Sequence, residues 1–254
     1  GIKPLGFLPG DPKVRMESRR LGLVTAGDLP DLEEKLTLLG GLAEKYIDID
    51  GLLALAAGAP GLNAAAPDIR SLGSVRIAVA RDEAFCFLYQ ENLELLTALG
   101  CEIVFFSPLY DKALPDNIGG LYLCGGYPEL HLEALSGNVS MREAVKTAVR
   151  GGMPTIAECG GFLYLHDRLD GFPMAGIVPA DAYGTEKLRR FGYVKLRAKA
   201  DNLVCAAGES INAHEFHYYE SADCGSDFIA EKPLSERSWP CVHATQTLYA
   251  GFPH

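Results

Sequence analysis

Apolar and polar residues follow one another along residues 75–171 in a pattern that predicts strands and helices in turn. Short apolar runs with the length of buried strands occur at 75–80, 102–107, 120–126 and 153–158. Segments that follow them carry apolar residues at three- and four-residue spacing and predict helices at 92–99, 141–149 and 160–166. This order predicts an α/β fold built on a mostly parallel, doubly wound sheet.

The pattern changes after residue 172, where strand-like segments replace helical ones. The segments FGYVKLRAK (191–199), INAHEFHYYE (211–220) and HATQTLYAG (243–251) are rich in β-branched and aromatic residues. We therefore expect the C-terminal third to be mainly β, as antiparallel additions to the sheet.

The first 56 residues offer little for an independent domain. Residues 2–8 predict a short strand, and residues 29–55 predict a helix that is broken at Gly40-Gly41. These elements cannot close a sheet, so the region is either the end of a larger domain or a helical extension of the main one. Residues 57–74 are rich in Ala, Gly and Pro and predict a linker.

The composition argues against several classes of function. The 254 residues carry a net charge of −10, which argues against a nucleic-acid backbone as the main partner. No apolar run is long enough to span a membrane, and residues 1–20 have no signal-like apolar core, so we expect a cytoplasmic protein with no membrane partner. The seven cysteines form no CxxC pair, so we expect no metal site and search instead for a single reactive thiol.

The segment TIAECGG (155–161) is the sharpest local motif. A buried strand ends at Cys159 and a helix begins at once, which is the pattern of a nucleophile elbow. Small neighbours are needed at such a turn, and Ala157, Gly160 and Gly161 meet that need. The helix N-terminus is expected to favour the thiolate of Cys159. The competing interpretation is a small buried cysteine in a tight turn.

Acyl transfer also requires an oxyanion-binding site and a base, and the sequence contains candidates for both. Gly125 and Gly126 follow the preceding strand and, with Gly160, could hold an oxyanion through backbone N–H groups. The base must be a histidine. His214, His217 and His254 are the candidates, whereas His131 and His166 lie in helical surface patterns. Alternation places Glu215 on the same strand face as His217. The two could orient a base or bind substrate, or they could be a satisfied core pair.

These residues resemble a known family. The chain resembles cobyrinic acid a,c-diamide synthases over nearly all of residues 75–254, through motifs that occur in order. They are ARDEAFCFLYQEN (80–92), FFSPL (105–109), LYLCGGYPE (121–129), LSGNVSMR (135–142), AECGGFLYL (157–165) and HEFHYY (214–219).

The resemblance implies a division of the chain. Residues 75–254 correspond to a class I glutamine amidotransferase domain, residues 57–74 to a linker, and residues 1–56 to the end of a dethiobiotin-synthetase-like ATP-binding domain whose phosphate loop is absent here. Glutamine would give ammonia, and the missing domain would use ATP and Mg²⁺ to amidate the a and c carboxylates of cobyrinate in cobalamin biosynthesis. This chain alone would retain at most glutaminase activity and would bind no tight cofactor.

The resemblance also assigns residue roles. Cys159 is the nucleophile, and His254 is the base because Ala250 to His254 match the family's A-S-Y-x-H segment, with Gly251 and Phe252 as departures. A Cys–His dyad follows. The family signature suggests roles near the substrate or the domain interface for Phe85, His214, Glu215 and His217. Tyr127 and Glu158 are further candidates for substrate binding. Asp82 carries the same signature without an assigned role.

Three alternatives remain open at this point. The same chemistry could act on nickel-sirohydrochlorin, a related tetrapyrrole. The fold could serve a non-catalytic binding module, because a fold does not imply a function. A cysteine hydrolase or peptidase on the same fold would not prefer glutamine.

Overall fold

The computed structural model describes residues 2–16, 26, 29–62 and 68–254. It divides the chain into two compact units, Gly1–Asp68 and Ile69–His254. The boundary between them falls within the segment that the sequence predicts to be a linker.

Within its described residues, the first unit contains a 3-10 helix at Pro12–Val14 and the α-helices α1 (Leu32–Tyr46) and α2 (Ile49–Ala57). The break predicted at Gly40-Gly41 is wrong, because α1 continues through both glycines, each at a cost of about 1 kcal/mol relative to alanine. The chain turns instead at extended Ile47 and at Asp48, whose side chain accepts a hydrogen bond from the Gly51 N–H at 2.9 Å. The strand predicted at residues 2–8 is also wrong, since only an isolated bridge from Gly6 to Ile47 forms there.

The second unit holds the remaining elements. Its helices are α3 (Gln90–Ala98), α4 (Leu132–Gly137), α5 (Val139–Arg150) and α6 (Gly160–Tyr164). Its strands are β1 (Val75–Ala80), β2 (Cys101–Phe106), β3 (Gly120–Leu123), β4 (Thr155–Glu158), β5 (His166–Leu169), β6 (Phe172–Pro173), β7 (Val178–Gly184), β8 (Arg190–Ala198), β9 (Ser210–His217), β10 (Tyr219–Ser221), β11 (Phe228–Glu231), β12 (Ser238–Cys241), β13 (His243–Ala244) and β14 (Leu248–Gly251).

A six-stranded sheet forms the centre of this unit, in the order β13-β14-β4-β3-β1-β2. All neighbouring strands run parallel except β13, which is antiparallel to β14. The predicted mostly parallel α/β fold is therefore confirmed. In such a sheet the carboxyl ends of the strands meet at one edge, and this edge is where open α/β sheets place their sites.

The two faces of the central sheet are covered differently. On one face α4, α5 and α6 pack against alternate strand residues such as Ala78, Leu121 and Ala157 to form the main core. On the other face α3 lies beside an apolar cavity of about 550 Å³, which Ile77, Tyr122 and other residues line. Successive residues of a strand therefore face two distinct environments.

Most of the antiparallel strands in the C-terminal third do not extend the central sheet. They form two separate four-stranded sheets, β10-β7-β5-β6 and β12-β11-β8-β9, in which only β5 and β7 pair in parallel. Only β13 of the antiparallel strands joins the central sheet, so the expected additions lie mainly beside it. No helix in the described part of the chain is long and apolar enough to cross a membrane.

Candidate active site

Cys159 lies at a strained turn between β4 and α6. Its backbone adopts φ +48° and ψ −102°, a conformation that a non-glycine residue rarely takes. Its N–H donates a hydrogen bond to the carbonyl oxygen of Gly251 at 2.9 Å, which fixes the turn to β14. Backbone strain of this kind is common at functional sites. The geometry is that of the nucleophile elbow predicted from the segment TIAECGG.

Three glycines allow the loop after β3 to approach this turn. A Cβ on Gly161 would overlap the carbonyl oxygen of Leu123, and a Cβ on Gly160 would lie 2.9 Å from the backbone nitrogen of Gly126. A Cβ on Gly125 would lie 3.7 Å from the Cβ of Cys159. The Gly126 N–H donates no hydrogen bond among the described contacts. The loop is thus in contact with the elbow and offers a free donor for an oxyanion.

The thiol of Cys159 is protonated at neutral pH. Burial raises its pKa to about 12, with a further increase from the negative charge of Glu129, against the opposing effect of the Gly160 N–H. The thiolate expected from the helix N-terminus is therefore wrong for this state. Helix α6 has five residues, so the field at its N-terminus is that of a short helix. Cys159 needs a base to become a nucleophile.

Alkylation of Cys159 by iodoacetamide is expected to accelerate about tenfold for each pH unit between 7 and 10. The reason is that the thiolate fraction grows tenfold per unit below a pKa of about 12. Mass spectrometry of the peptide that contains Cys159 measures this rate. N-acetylcysteine serves as the control, since its rate levels off above its ordinary pKa. A rate for Cys159 that levels off below pH 9 would contradict the expectation.

His254 lies beyond the strand next to the elbow. Strand β14 pairs in parallel with β4, with Gly251 opposite Glu158, so both strands end at the same edge of the sheet. The backbone of His254 exchanges hydrogen bonds of 2.8 and 3.0 Å with that of His214, and the two rings are 5.5 Å apart. Burial, then the neighbouring His214, lower the pKa of His254, which keeps its imidazole neutral and able to accept a proton.

Glu215 and His217 share the buried face of β9, as the alternation predicts. The His217 ring stacks on Phe252 at 3.8 Å, and its Nδ1 bonds to the Tyr219 carbonyl at 2.7 Å. Burial lowers the pKa of His217 to about 4 and raises that of Glu215 to about 7. His217 therefore stays neutral, and its contacts are those of a core residue behind the chain that carries His254.

The segment before α3 supports the glycine loop. Tyr127 is buried, its ring meets Phe87 edge-on at 5.0 Å, and its N–H donates to the Ala84 carbonyl at 2.9 Å. Phe85 is fully buried against Tyr164 with ring centres 5.5 Å apart, so its contacts are those of packing rather than of a substrate site.

Asp82 is saturated with hydrogen bonds. Its carboxylate accepts from the N–H groups of Ala84, Phe85 and Leu109 and from the hydroxyl of Ser107. It therefore holds the turn after β1.

Glu158 lies on the α3 face of the sheet. The hydroxyl of Tyr122 donates to its carboxylate at 2.7 Å, and both side chains line the apolar cavity. Burial raises the pKa of Glu158, and the Tyr122 hydrogen bond opposes that shift. The contact joins β3 to β4 immediately before the glycine loop and the Cys159 turn. Sequence reasoning missed Tyr122, because a tyrosine within an apolar run gives no signal of a carboxylate partner.

The surface positions predicted for His131 and His166 need correction. His166 is fully buried in β5, between the Phe162 carbonyl and the Ser221 hydroxyl at 2.8 and 2.6 Å. The helical pattern stops at Tyr164, so His166 faces the core, and burial lowers its pKa to about 4. The Nε2 of His131 is also buried. Within the described residues, no group of three or more His, Cys, Asp or Glu could hold a metal ion.

A mostly parallel sheet with a strained cysteine turn at its carboxyl edge is the architecture of the class I glutamine amidotransferase-like fold. The solved structure of PurLQS from Thermotoga maritima shares this fold. Its TM-score is 0.52 at 17% identity, covering 71% of this chain and 87% of that one. The family described as the CobB/CobQ-like glutamine amidotransferase domain matches residues 76–231, and the chain belongs to this family.

Curated relatives carry the name cobyrinate a,c-diamide synthase. The protein of Caldanaerobacter subterraneus subsp. tengcongensis is 38% identical over 260 residues, covering 100% of this chain and 58% of the relative. That of Clostridium acetobutylicum is 36% identical over 259 residues, with the same coverage. That of Thermoplasma volcanium is 38% identical over 222 residues, covering 85% and 48%. The chain thus spans about half to three fifths of the length of these relatives.

Proposed function

We propose that residues 75–254 hydrolyse L-glutamine and release ammonia, with Cys159 as the nucleophile. The observation that carries the proposal is the strained backbone of Cys159, hydrogen-bonded at 2.9 Å to the strand that leads to His254. A backbone held in this conformation costs about 1–3 kcal/mol, and the surrounding structure must supply that energy. Presenting a side chain at the sheet edge is the chemical reason for such a turn.

The reaction follows from the state of each group. His254, neutral at physiological pH, takes the proton of the Cys159 thiol, and the sulfur attacks the γ-amide carbon of glutamine. The N–H groups of Gly125, Gly126 and Gly160 stabilise the oxyanion. The protonated His254 then gives its proton to the departing nitrogen, and ammonia leaves. Water hydrolyses the glutamyl thioester, which yields glutamate and restores the thiol.

We further propose that the ammonia serves the ATP-dependent amidation of the a and c carboxylates of cobyrinate, in cobalamin biosynthesis. The names of the relatives support this acceptor over nickel-sirohydrochlorin. The sequence has no glycine–lysine phosphate loop, so ATP and Mg²⁺ are assigned to a domain outside these residues. Residues 1–56 would be the end of that domain. Since glutamine and ATP are cytoplasmic metabolites, the proposal places the protein in the cytoplasm.

The test measures glutamate release from glutamine by this chain, without ATP or an acceptor. Inhibition by 6-diazo-5-oxo-L-norleucine, an electrophilic analogue of glutamine, should be complete, and mass spectrometry should find a single label on Cys159. The other cysteines of the same sample are the internal control. Absence of both release and labelling would overturn the proposal and favour a non-catalytic binding module.

A further inference from the structure

A small basic pocket lies in the sheet β12-β11-β8-β9. Its volume is about 200 Å³, and its lining residues are Leu188, Arg189, Arg190, Phe191, Lys232, Arg237 and Trp239. Four of the seven are cationic, in a chain whose net charge is −10. The pocket is therefore positively charged, whereas the whole protein is negatively charged. It shares no residue with the elbow, the glycine loop or His254.

Neutral groups hold two of these cations in place. The Arg190 guanidinium lies 4.5 Å from the centre of the Trp239 ring, and its side chain forms no hydrogen bond among the described contacts. The ammonium of Lys232 donates to the carbonyl oxygens of Phe191 and Tyr193, at 2.6 and 3.2 Å. Aromatic faces and carbonyls position a charge without neutralising it. The pocket is thus preorganised for an anion.

Two carboxylates near the pocket compensate only part of this charge. Glu220 of β10 pairs with Arg189 at 3.0 Å and also lies in the field of Arg190. Glu215 of β9 is fully buried, and burial raises its pKa to about 7 against the opposing effects of Arg190, Lys232 and a hydrogen bond from Trp239. It is only partly ionised at neutral pH. Exposed Glu236 precedes Arg237 in sequence, and no ion pair joins it to the lining residues within the described part.

We propose that this pocket binds a carboxylate group carried on a flat apolar body. A guanidinium matches a carboxylate in plane, through two parallel hydrogen bonds, and the Trp239, Phe191 and Leu188 side chains offer apolar contact beside it. The ligand class suits the carboxylate-rich acceptor, so its identity rests on the proposed function. The pocket would hold a peripheral carboxylate of that acceptor, at a place separate from glutamine hydrolysis.

The chain carries its own probe for this site, because Trp239 is its one tryptophan. Tryptophan fluorescence is recorded while mellitate, a planar benzene hexacarboxylate, is added at constant ionic strength. We expect a saturable change. Arg190→Gln should weaken the affinity by about tenfold or more, since one charge-assisted contact is lost. The matched control is Arg197→Gln, at an exposed arginine of the same strand that pairs with Glu231, and it should retain the affinity.

Each other outcome overturns the inference. No saturable change, equal affinity in Arg190→Gln, or equal weakening in Arg197→Gln would mean that the pocket has no specific role. Tighter binding of inorganic phosphate than of mellitate would assign the pocket to a phosphate-bearing ligand instead. If Arg190→Gln does not fold, the exposed Arg237→Gln carries the test. Glutamate release by the same preparation reports separately on the proposed function.

Discussion

Replacement of Cys159 by serine is expected to lower glutamate release from glutamine by at least about 10³-fold, because a hydroxyl is a far weaker nucleophile than a thiol under the same base. Glutamate is measured in an enzyme-coupled assay. The matched control is Cys101→Ser, at the amino end of β2 and so at the opposite edge of the sheet, and it should keep the activity.

His254→Ala should cause a loss of about 10² to 10⁴-fold in the same assay, the usual range for removal of a general base. The loss should shrink as the pH rises toward 10, because hydroxide then removes more of the thiol proton without help. A serine variant that retains a tenth of the activity would refute Cys159 as the nucleophile. A pH-independent loss in His254→Ala would assign His254 a role other than proton transfer.

Gly161→Ala is expected to destabilise the second unit by more than about 3 kcal/mol. The added methyl group would overlap the backbone carbonyl of Leu123 on β3, and a backbone oxygen cannot turn aside as a flexible side chain can. Urea unfolding followed by circular dichroism measures the free energy of unfolding. Gly137→Ala is the matched control: no atom lies within 4 Å of the added methyl, and we expect a change of less than about 1 kcal/mol.

An unchanged stability in Gly161→Ala would mean that β3 and α6 can separate, and the close contact between the glycine loop and the elbow would then not be required by the fold. Because Gly126 follows Leu123 on that loop, glutamate release should fall together with stability in this variant. A loss of stability without a loss of glutamate release, or the reverse, would show that the two effects do not both arise from the close contact between the glycine loop and the elbow.

The sequence correctly predicted those elements that depend on residues close together in the chain. Strand β1 occurs at 75–80 as predicted, because a short apolar run bounded by polar residues is long enough for a buried parallel strand and too short for a helix. The elbow followed from small residues around Cys159, since only such neighbours permit the turn. The role of Cys159 came from the elbow pattern together with the family resemblance, and that of His254 came from the resemblance; both roles stay predictions.

Features that depend on contacts between residues far apart in sequence could not be predicted from the sequence. The pKa of Cys159 is raised by desolvation and by Glu129, which only the fold brings near it. His166 finds its partner in Ser221, on another strand of the same sheet, so its burial has no local signal. The separate sheets of the C-terminal third were missed for the same reason, because strand propensity does not specify which strands pair.

Strand β14 occupies the position between β4 and β13, although the strands β5 to β12 lie between β4 and β14 in sequence. Cys159 receives its backbone anchor from this strand, and His254 arrives with it. During synthesis, a chain that has folded its earlier strands therefore carries the Cys159 thiol without its backbone anchor and without His254, its proposed base. Because such long-range pairing forms late, the chain should consume no glutamine until β14 is inserted. Glutamine hydrolysis would then report that β14 has joined the central sheet.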